Sequence, residues 1–142
     1  MGWKENCLAA LDAAKLFENS GHRTRFKELM DCYSNYPFFT KGLCKCMYLS
    51  AWDDEHFAVM LETLMDMSLG REQDTKDMQV KGDALAEERN DGEYYVYLLS
   101  GAFLEDKPYI LPEDADIPQE IRYIIDRAIR ASAVIDEVFC LW

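Results

Sequence analysis

One predicted helix carries most of the side chains that could bind a metal ion or move a proton. These potential ligands are Asp53, Asp54, Glu55, His56, Glu62 and Asp66. Asp53 and His56 stand three residues apart, the spacing at which one helix face offers a carboxylate and an imidazole to the same metal. A di-iron bundle needs this arrangement twice, and the other histidine, His22, has no carboxylate three residues before it. The sequence therefore predicts a capped, solvated acidic face, with a metal site in a small helical enzyme as the alternative.

A second pattern of ligand types involves the cysteines. Cys44 and Cys46, together with Cys32 and His56, have the side-chain chemistry of zinc ligands. A one-residue gap on a helix, however, points two thiolates about 200° apart. Structural zinc sites instead space their cysteines by roughly two to four residues. We therefore do not predict a zinc site.

Motifs for hydrolysis and phosphate binding are also incomplete. A magnesium-dependent hydrolase of the all-α kind needs two carboxylate pairs on facing helices, and Glu62 with Asp66 and Glu87 with Glu88 match no such signature. No Gly-x-Ser-x-Gly turn is present, and the seven glycines are scattered singly rather than in a phosphate-binding loop. We predict no catalytic residue, no metal and no cofactor.

The negative charge is concentrated in one part of the chain. Residues 51–120 contain nineteen Asp or Glu and five Lys or Arg, whereas residues 1–50 contain five acidic and seven basic residues. One sign of charge gathered over half of a small protein attracts cationic partners and repels nucleic acid and anionic lipid. The basic run from His22 to Lys27 is too small to overcome this repulsion. We therefore predict no direct binding to nucleic acid or to membranes.

Length and composition indicate a single globular domain. A chain of 142 residues that is 49% apolar and 13% aromatic can bury a sizeable core. No apolar run reaches the roughly 18 residues of a membrane span, and the N-terminus lacks a signal-peptide pattern, so we expect a cytoplasmic protein. Five unevenly spaced cysteines indicate reduced thiols, with Cys7, Cys44 and Cys140 in the core and Cys32 or Cys46 as candidates for exposure.

Hydrophobic periodicity predicts four helices in the first half of the chain. Pro37 can open the third helix at its first position, and Gly42 weakens that helix. Ser50 and Asp53 have capping-box spacing at the start of the fourth. The predicted helices cover residues 3–18, 22–33, 37–50 and 53–69.

The second half is predicted to contain a charged helix or crossing segment, a short apolar helix, an acidic loop and a long final helix. Gly82 interrupts the first of these. The apolar segment could be a strand by propensity, but we favour a helix because a single strand would have no partner, and Ser100-Gly101-Ala102 would let another helix approach closely. The predicted ranges are residues 71–90, 93–104, 105–117 and 118–139. We predict an all-α, single-domain bundle of about six or seven helices.

Charge and fold class together predict a non-catalytic protein-binding module. The acidic face would dock on the basic groove of a nucleic-acid-handling protein, with Tyr and Met side chains as anchors. In size and charge the chain resembles the small acidic helical proteins of phages and mobile elements that inhibit restriction or CRISPR nucleases by mimicking nucleic acid. The residues predicted to bind the partner are Asp53, Asp54, Glu55, Glu62, Asp66, Asp74, Asp77, Glu87 and Glu88. A homodimeric scaffold, in which the basic second helix meets the acidic fourth helix of another copy, is a further alternative.

Overall fold

Seven α-helices make up most of the described part of the chain, which in this computed structural model covers residues 2–71, 76–89 and 91–140. The helices are α1 (Trp3–Ala13), α2 (Ser20–Tyr33), α3 (Lys41–Ser50), α4 (Asp54–Ser68), α5 (Lys76–Arg89), α6 (Tyr94–Leu104) and α7 (Gln119–Cys140). A 3₁₀ turn over Asp91–Glu93 joins α5 to α6. These residues contain no strand, so the predicted all-α bundle of six or seven helices is confirmed, including the helical assignment of residues 93–104.

The helix α3 is at the centre of the bundle. All seven residues from Leu43 to Leu49 are buried, and the helix packs against α2, α4, α6 and α7. The final helix, α7, instead buries one stripe that runs from Ile121 to Ile135. The helix α3 thus forms the centre of the core, and the amphipathic helix α7 covers it with its apolar stripe. This is the arrangement expected of a helical bundle with one covering layer.

Side-chain caps fix where the helices begin. Thr40 accepts a hydrogen bond from the Leu43 N–H (3.1 Å), so α3 begins at Lys41. The predicted start at Pro37 is wrong, because Pro37 occupies a turn closed by the bond from the Phe39 N–H to the Tyr36 carbonyl (3.0 Å). A polar side chain that satisfies a free N–H defines the start of a helix better than a proline that is merely compatible with it.

The cap of α4 also differs from the prediction. Asp53 itself accepts hydrogen bonds from the N–H groups of Glu55 (3.0 Å) and His56 (3.2 Å), whereas Ser50 is the last residue of α3. The carboxylate lies at the positive end of the helix dipole, which favours it there. The capping residue is therefore Asp53 and not Ser50.

The first helix ends earlier than its periodicity predicts. Lys15 adopts the left-handed conformation (φ 56°), and the Leu16 N–H donates to the Leu11 carbonyl (3.1 Å). This is the bond pattern of a Schellman cap, which ends α1 after Ala13. Leu16 is buried by the turn, and this burial offsets the unfavourable conformation of Lys15.

Two glycines allow close packing and do not break their helices. A Cβ on Gly42 would lie 2.3 Å from the carbonyl oxygen of Phe103, and a Cβ on Gly82 would lie 2.0 Å from the ring of Tyr97. The predicted interruption of α5 at Gly82 is therefore wrong. A Cβ on Gly101 would meet nothing within 4 Å, so the close approach of α3 to α6 occurs at Gly42 and not at Gly101.

All five cysteines are free thiols. Cys7, Cys44 and Cys46 are buried, whereas Cys32 and Cys140 are exposed. Of the two candidates for exposure, Cys32 is thus the exposed one, and the prediction of Cys140 in the core is wrong, because Cys140 lies in the last turn of α7. No helix in the described ranges is both long enough and apolar enough to cross a membrane.

Because of the close approach at Gly42, we expect alanine to destabilise the protein at this position. Gly42→Ala should lower the free energy of unfolding by about 1 to 3 kcal/mol, because the added methyl group would overlap backbone of α6. Gly101→Ala is the matched control, since the new methyl group meets open space and should stabilise its helix by about 0.5 to 1 kcal/mol. Urea denaturation followed by circular dichroism measures both changes. Equal effects in the two variants would contradict the packing role of Gly42.

Candidate functional site

The predicted carboxylates at the start of α4 and along it are paired with neighbouring cations. Each of these five carboxylates lies within 4 Å of a Lys or Arg nitrogen in the same chain. The pairs are Asp53–Arg89 (2.7 Å), Asp54–Arg25 (3.0 Å), Glu55–Arg89 (3.9 Å), Glu62–Lys81 (2.8 Å) and Asp66–Arg71 (3.7 Å). Exposed pairs of this type contribute little to stability, but they reduce the negative field that a partner meets.

The remaining predicted residues belong to the segment that includes α5. Asp74 lies outside the described residues, and the side chain of Asp77 is also outside them. Glu87 and Glu88 are exposed, and neither has an ion pair within the described ranges. Of the nine predicted carboxylates, Glu87 and Glu88 are thus the two described ones that no cation compensates.

The basic run at the start of α2 pairs within the chain. Arg25 donates to the carbonyl of Ala51 (2.7 Å) and to Asp54 (3.0 Å), and Arg23 pairs with Asp12 (3.0 Å). The homodimer alternative requires these cations to meet α4 of another copy. Within one chain Arg25 instead pairs with Asp54, and the homodimer alternative stays a prediction.

His56 is at the centre of a buried polar network. It is 1% exposed, and both of its ring nitrogens have a partner. Nε2 lies 2.6 Å from Oε1 of Glu93, and Nδ1 lies 2.5 Å from the hydroxyl of Tyr97. In the tautomer that satisfies all three groups, Nε2–H donates to the carboxylate and Nδ1 accepts from the tyrosine hydroxyl. Burial raises the pKa of Tyr97, which keeps this hydroxyl protonated as a donor.

Arg89 extends this network to the cap of α4. Its guanidinium donates twice to Asp53 (2.7 and 3.1 Å), and its Nε lies 3.4 Å from Oε2 of Glu93. Burial acts to raise the pKa of Asp53, but the hydrogen bonds from Arg89 and from the His56 backbone outweigh it, and the pKa is lowered. The network therefore ties together the start of α4, the end of α5 and the start of α6.

The surroundings of His56 indicate a structural role. Beside it the fold leaves a cavity of about 10 Å³, which has room for at most one water molecule. Trp52 covers the imidazole, with the two rings stacked at a centroid distance of 5.4 Å. Within the described ranges, no group of three His, Cys, Asp or Glu side chains is arranged to bind a metal ion. Because Glu93 and Tyr97 occupy both imidazole nitrogens, the Asp53–His56 spacing does not form the metal site considered as an alternative.

An open cleft also lies at the α5–α6 junction. It has a volume of about 530 Å³ and is lined by Asp83, Ala86, Glu87, Tyr94, Tyr95 and Asp116, which together we call the acidic cleft. The described lining includes no Lys or Arg, and its three carboxylates have no ion pair among the described residues. One oxygen of Asp83 is buried without a hydrogen-bond partner. The cleft therefore combines uncompensated negative charge with aromatic surface.

Tyr94 and Tyr95 form the aromatic part of the acidic cleft. Their rings meet edge to face at a centroid distance of 6.3 Å, and Tyr94 is 46% exposed. They directly follow Glu93 of the buried network, and Tyr97 of the same network packs against Gly82, the residue before Asp83. The network thus fixes the positions of α5 and α6, the two helices that line the cleft.

Sequence reasoning identified one of the cleft carboxylates and missed the other two. Glu87 was predicted, whereas Asp83 and Asp116 were not. The spacing of four between Asp83 and Glu87 places them on one helical face, and this pattern was available from the sequence. No local pattern could bring in Asp116, which lies about thirty residues further along the chain in the acidic loop.

Comparison with protein-family models, with curated proteins and with solved structures finds no match to this chain. Its function is therefore inferred from the chemistry of its own clefts and networks.

The buried network predicts a large effect of a small substitution. Glu93→Gln removes the charge that Arg89 and His56 share, so the free energy of unfolding should fall by about 3 kcal/mol. The exposed Glu88→Gln is the control and should change it by less than about 0.5 kcal/mol. Urea denaturation of both variants tests this, and a tolerated Glu93→Gln would show that the network does not stabilise the fold.

The second histidine predicts a pH dependence of stability. His22 is 1% exposed, its Nε2–H donates to the Tyr48 carbonyl (2.8 Å), and its Nδ1 accepts from the Glu18 N–H (3.1 Å). Burial lowers its pKa from 6.5 to about 4. The unfolded chain therefore binds more protons than the folded chain between these values, and folding becomes weaker as the pH falls from about 6.5 to 4.

Between about pH 6.5 and pH 4 the free energy of unfolding should fall by up to about 3 kcal/mol. Urea denaturation at half-unit pH intervals measures it. His22→Gln should be less stable at neutral pH but should lack most of this slope, because the titrating imidazole is gone. If His22→Gln keeps the full pH dependence of stability, other titrating groups cause it.

Proposed function

We propose that this protein is a non-catalytic binding module that takes a cationic segment of a partner protein into the acidic cleft. The observation that supports this proposal is the group of three carboxylates that no described cation neutralises, set around two tyrosines in a cleft of about 530 Å³. The α4 carboxylates are paired with cations of the same chain, whereas the three cleft carboxylates have no ion pair among the described residues and lie together beside aromatic surface.

An arginine or lysine side chain fits the chemistry of this cleft. Its N–H groups would donate to the carboxylates, including the oxygen of Asp83 that has no partner. The faces of Tyr94 and Tyr95 offer a cation–π contact of roughly 0.5 to 2 kcal/mol. Tyrosine is also enriched among the residues that dominate binding energy at interfaces. Charge would then guide the partner to the cleft, and the aromatic rings would hold it.

The partner class that we propose is a basic protein that handles nucleic acid. Such proteins have strongly positive grooves, and a compact acidic module would compete with nucleic acid for them. An extended row of phosphate-like charges along α4 is the less favoured version, since its carboxylates are paired with cations in the same chain. We therefore place the anchor in the acidic cleft.

A charge-matched pair of variants tests the proposal. In the cleft variant, Asp83→Asn, Glu87→Gln and Asp116→Asn remove three charges without changing side-chain size. The control variant makes the same charge change at the exposed residues Glu5, Glu28 and Glu137. Binding of a fluorescent nona-arginine peptide, measured by anisotropy at about 0.15 M salt, should weaken by about ten-fold or more in the cleft variant and by less than about three-fold in the control. Equal losses would mean that net charge alone drives binding.

The same two variants identify the partner class. Proteins captured from the native host lysate by the wild type and the control variant, but not by the cleft variant, are the specific partners. A basic nucleic-acid-handling protein in this set, eluting as the salt concentration rises, would support the proposed class. A specific partner without that activity would overturn the class while leaving the acidic cleft as the binding site.

A further inference from the structure

A second cleft, at the other end of α6, is lined by charged residues of both signs. It lies between the end of α6, the following loop and α7, and it has a volume of about 390 Å³. Its walls include Phe103 and Ile129, and its polar lining includes Lys45, Tyr109 and Asp136. We call it the lysine pocket. None of its residues lines the acidic cleft.

Lys45 is unusual because its charged side chain is almost fully buried. The side chain is 7% exposed, and its ammonium lies 2.8 Å from Asp136 and 5.7 Å from the centre of the Phe103 ring. An ammonium has three N–H donors, and Asp136 is the one carboxylate that pairs with it in the described part of the chain. Burying a cation is costly unless acceptors pair with its donors.

Asp136 cannot fully neutralise Lys45 because it also pairs with Lys41. The Lys41 ammonium lies 3.1 Å from the same carboxylate oxygen. Burial acts to raise the pKa of Asp136, but the two lysines outweigh it and the pKa is lowered, so the carboxylate stays charged. Two ammonium groups therefore share one carboxylate at the floor of the pocket. The charged residues at its mouth, Asp106 and Lys107, are exposed and of opposite sign.

Tyr109 supplies a second donor, and unlike Lys45 it has no partner among the described residues. Its hydroxyl oxygen is buried and has no hydrogen-bond partner, and burial raises the pKa of this tyrosine, so the hydroxyl keeps its proton. A buried hydroxyl that donates to nothing costs free energy, which a ligand oxygen would recover. Lys45 and Tyr109, which carry donors of different types, both line this pocket.

A largely apolar groove lies beside the lysine pocket. It has a volume of about 470 Å³, runs along α7, and shares Tyr109 and Ile129 with the pocket. Ile110 and Ile125 also line it, together with the charged residues Arg122 and Asp126, and Ile110 is 86% exposed. A polar end with two donors and an apolar extension are together suited to a ligand that has a charged head and an apolar tail.

We propose that the lysine pocket binds a small carboxylic acid with an apolar tail, the carboxylate accepting from Lys45 and Tyr109 and the tail lying along α7 in the groove. This site is independent of the acidic cleft. Its ligand is anionic and small, whereas the cleft is proposed to take a cationic protein segment. Binding at one site does not require the other.

Isothermal titration calorimetry with decanoate tests this proposal. The wild type should bind about one decanoate per chain, and decanol, which has the same tail but no carboxylate, should bind at least about ten-fold more weakly. Lys45→Met keeps the apolar stem and removes the ammonium, and Tyr109→Phe removes only the hydroxyl. We expect losses of about ten-fold and about three-fold in decanoate affinity, respectively.

Two control variants complete the test. Lys27→Met removes one exposed lysine of α2 and should leave decanoate binding within about two-fold of the wild type. The acidic cleft variant should also bind decanoate normally, which separates the two proposals. If Lys45→Met does not fold, Tyr109→Phe and the comparison with decanol still decide the outcome. Absence of decanoate binding, or equal binding of decanoate and decanol, would overturn the lysine pocket as a carboxylate site.

Discussion

The chain of charged and polar contacts from Asp53 through Arg89 and Glu93 to His56 is the constraint on which the second half of the fold depends. It combines a helix cap, a two-point guanidinium–carboxylate contact and a buried imidazole–carboxylate bond of 2.6 Å. In a low-dielectric interior such a network is stabilising only when every member has a partner. Tyr97 completes it by donating to the last free nitrogen of His56. The helices α4, α5 and α6 therefore hold one fixed arrangement at their junction.

Ion pairs within the chain also separate its acidic side chains into two groups. Carboxylates on α4 are next to cations of α2, α5 or the end of α4 itself, so their field is reduced close to the surface. Those at Asp83, Glu87 and Asp116 have no such neighbours in the described ranges. Net charge alone does not distinguish the two groups, because compensation depends on which side chains meet in space. The acidic cleft owes its chemistry to this uneven pairing.

The helix α6 contributes residues to two clefts with different linings. Its first turn brings Tyr94 and Tyr95 to the acidic cleft, and its last turn brings Phe103 to the lysine pocket. The direction of the helix suits both ends, since the macrodipole favours carboxylates such as Glu93 near the N-terminus and an ammonium such as that of Lys45 near the C-terminus. Gly42 lets α3 approach α6 closely at this second end, where α3 also contributes Lys45 to the pocket.

The sequence predicts which segments are helical, because helix periodicity is a short-range property, but it misplaces several helix ends. It predicted a helical bundle, the single buried stripe of α7 and the helix over residues 93–104. The tertiary structure decided what depends on distant partners: Gly82 packs instead of breaking a helix because Tyr97 lies against it, and His56 is committed to Glu93, thirty-seven residues away. Asp116 joins the acidic cleft for the same reason. Burial and charge pairing depend on contacts between distant segments, which a one-dimensional pattern does not record.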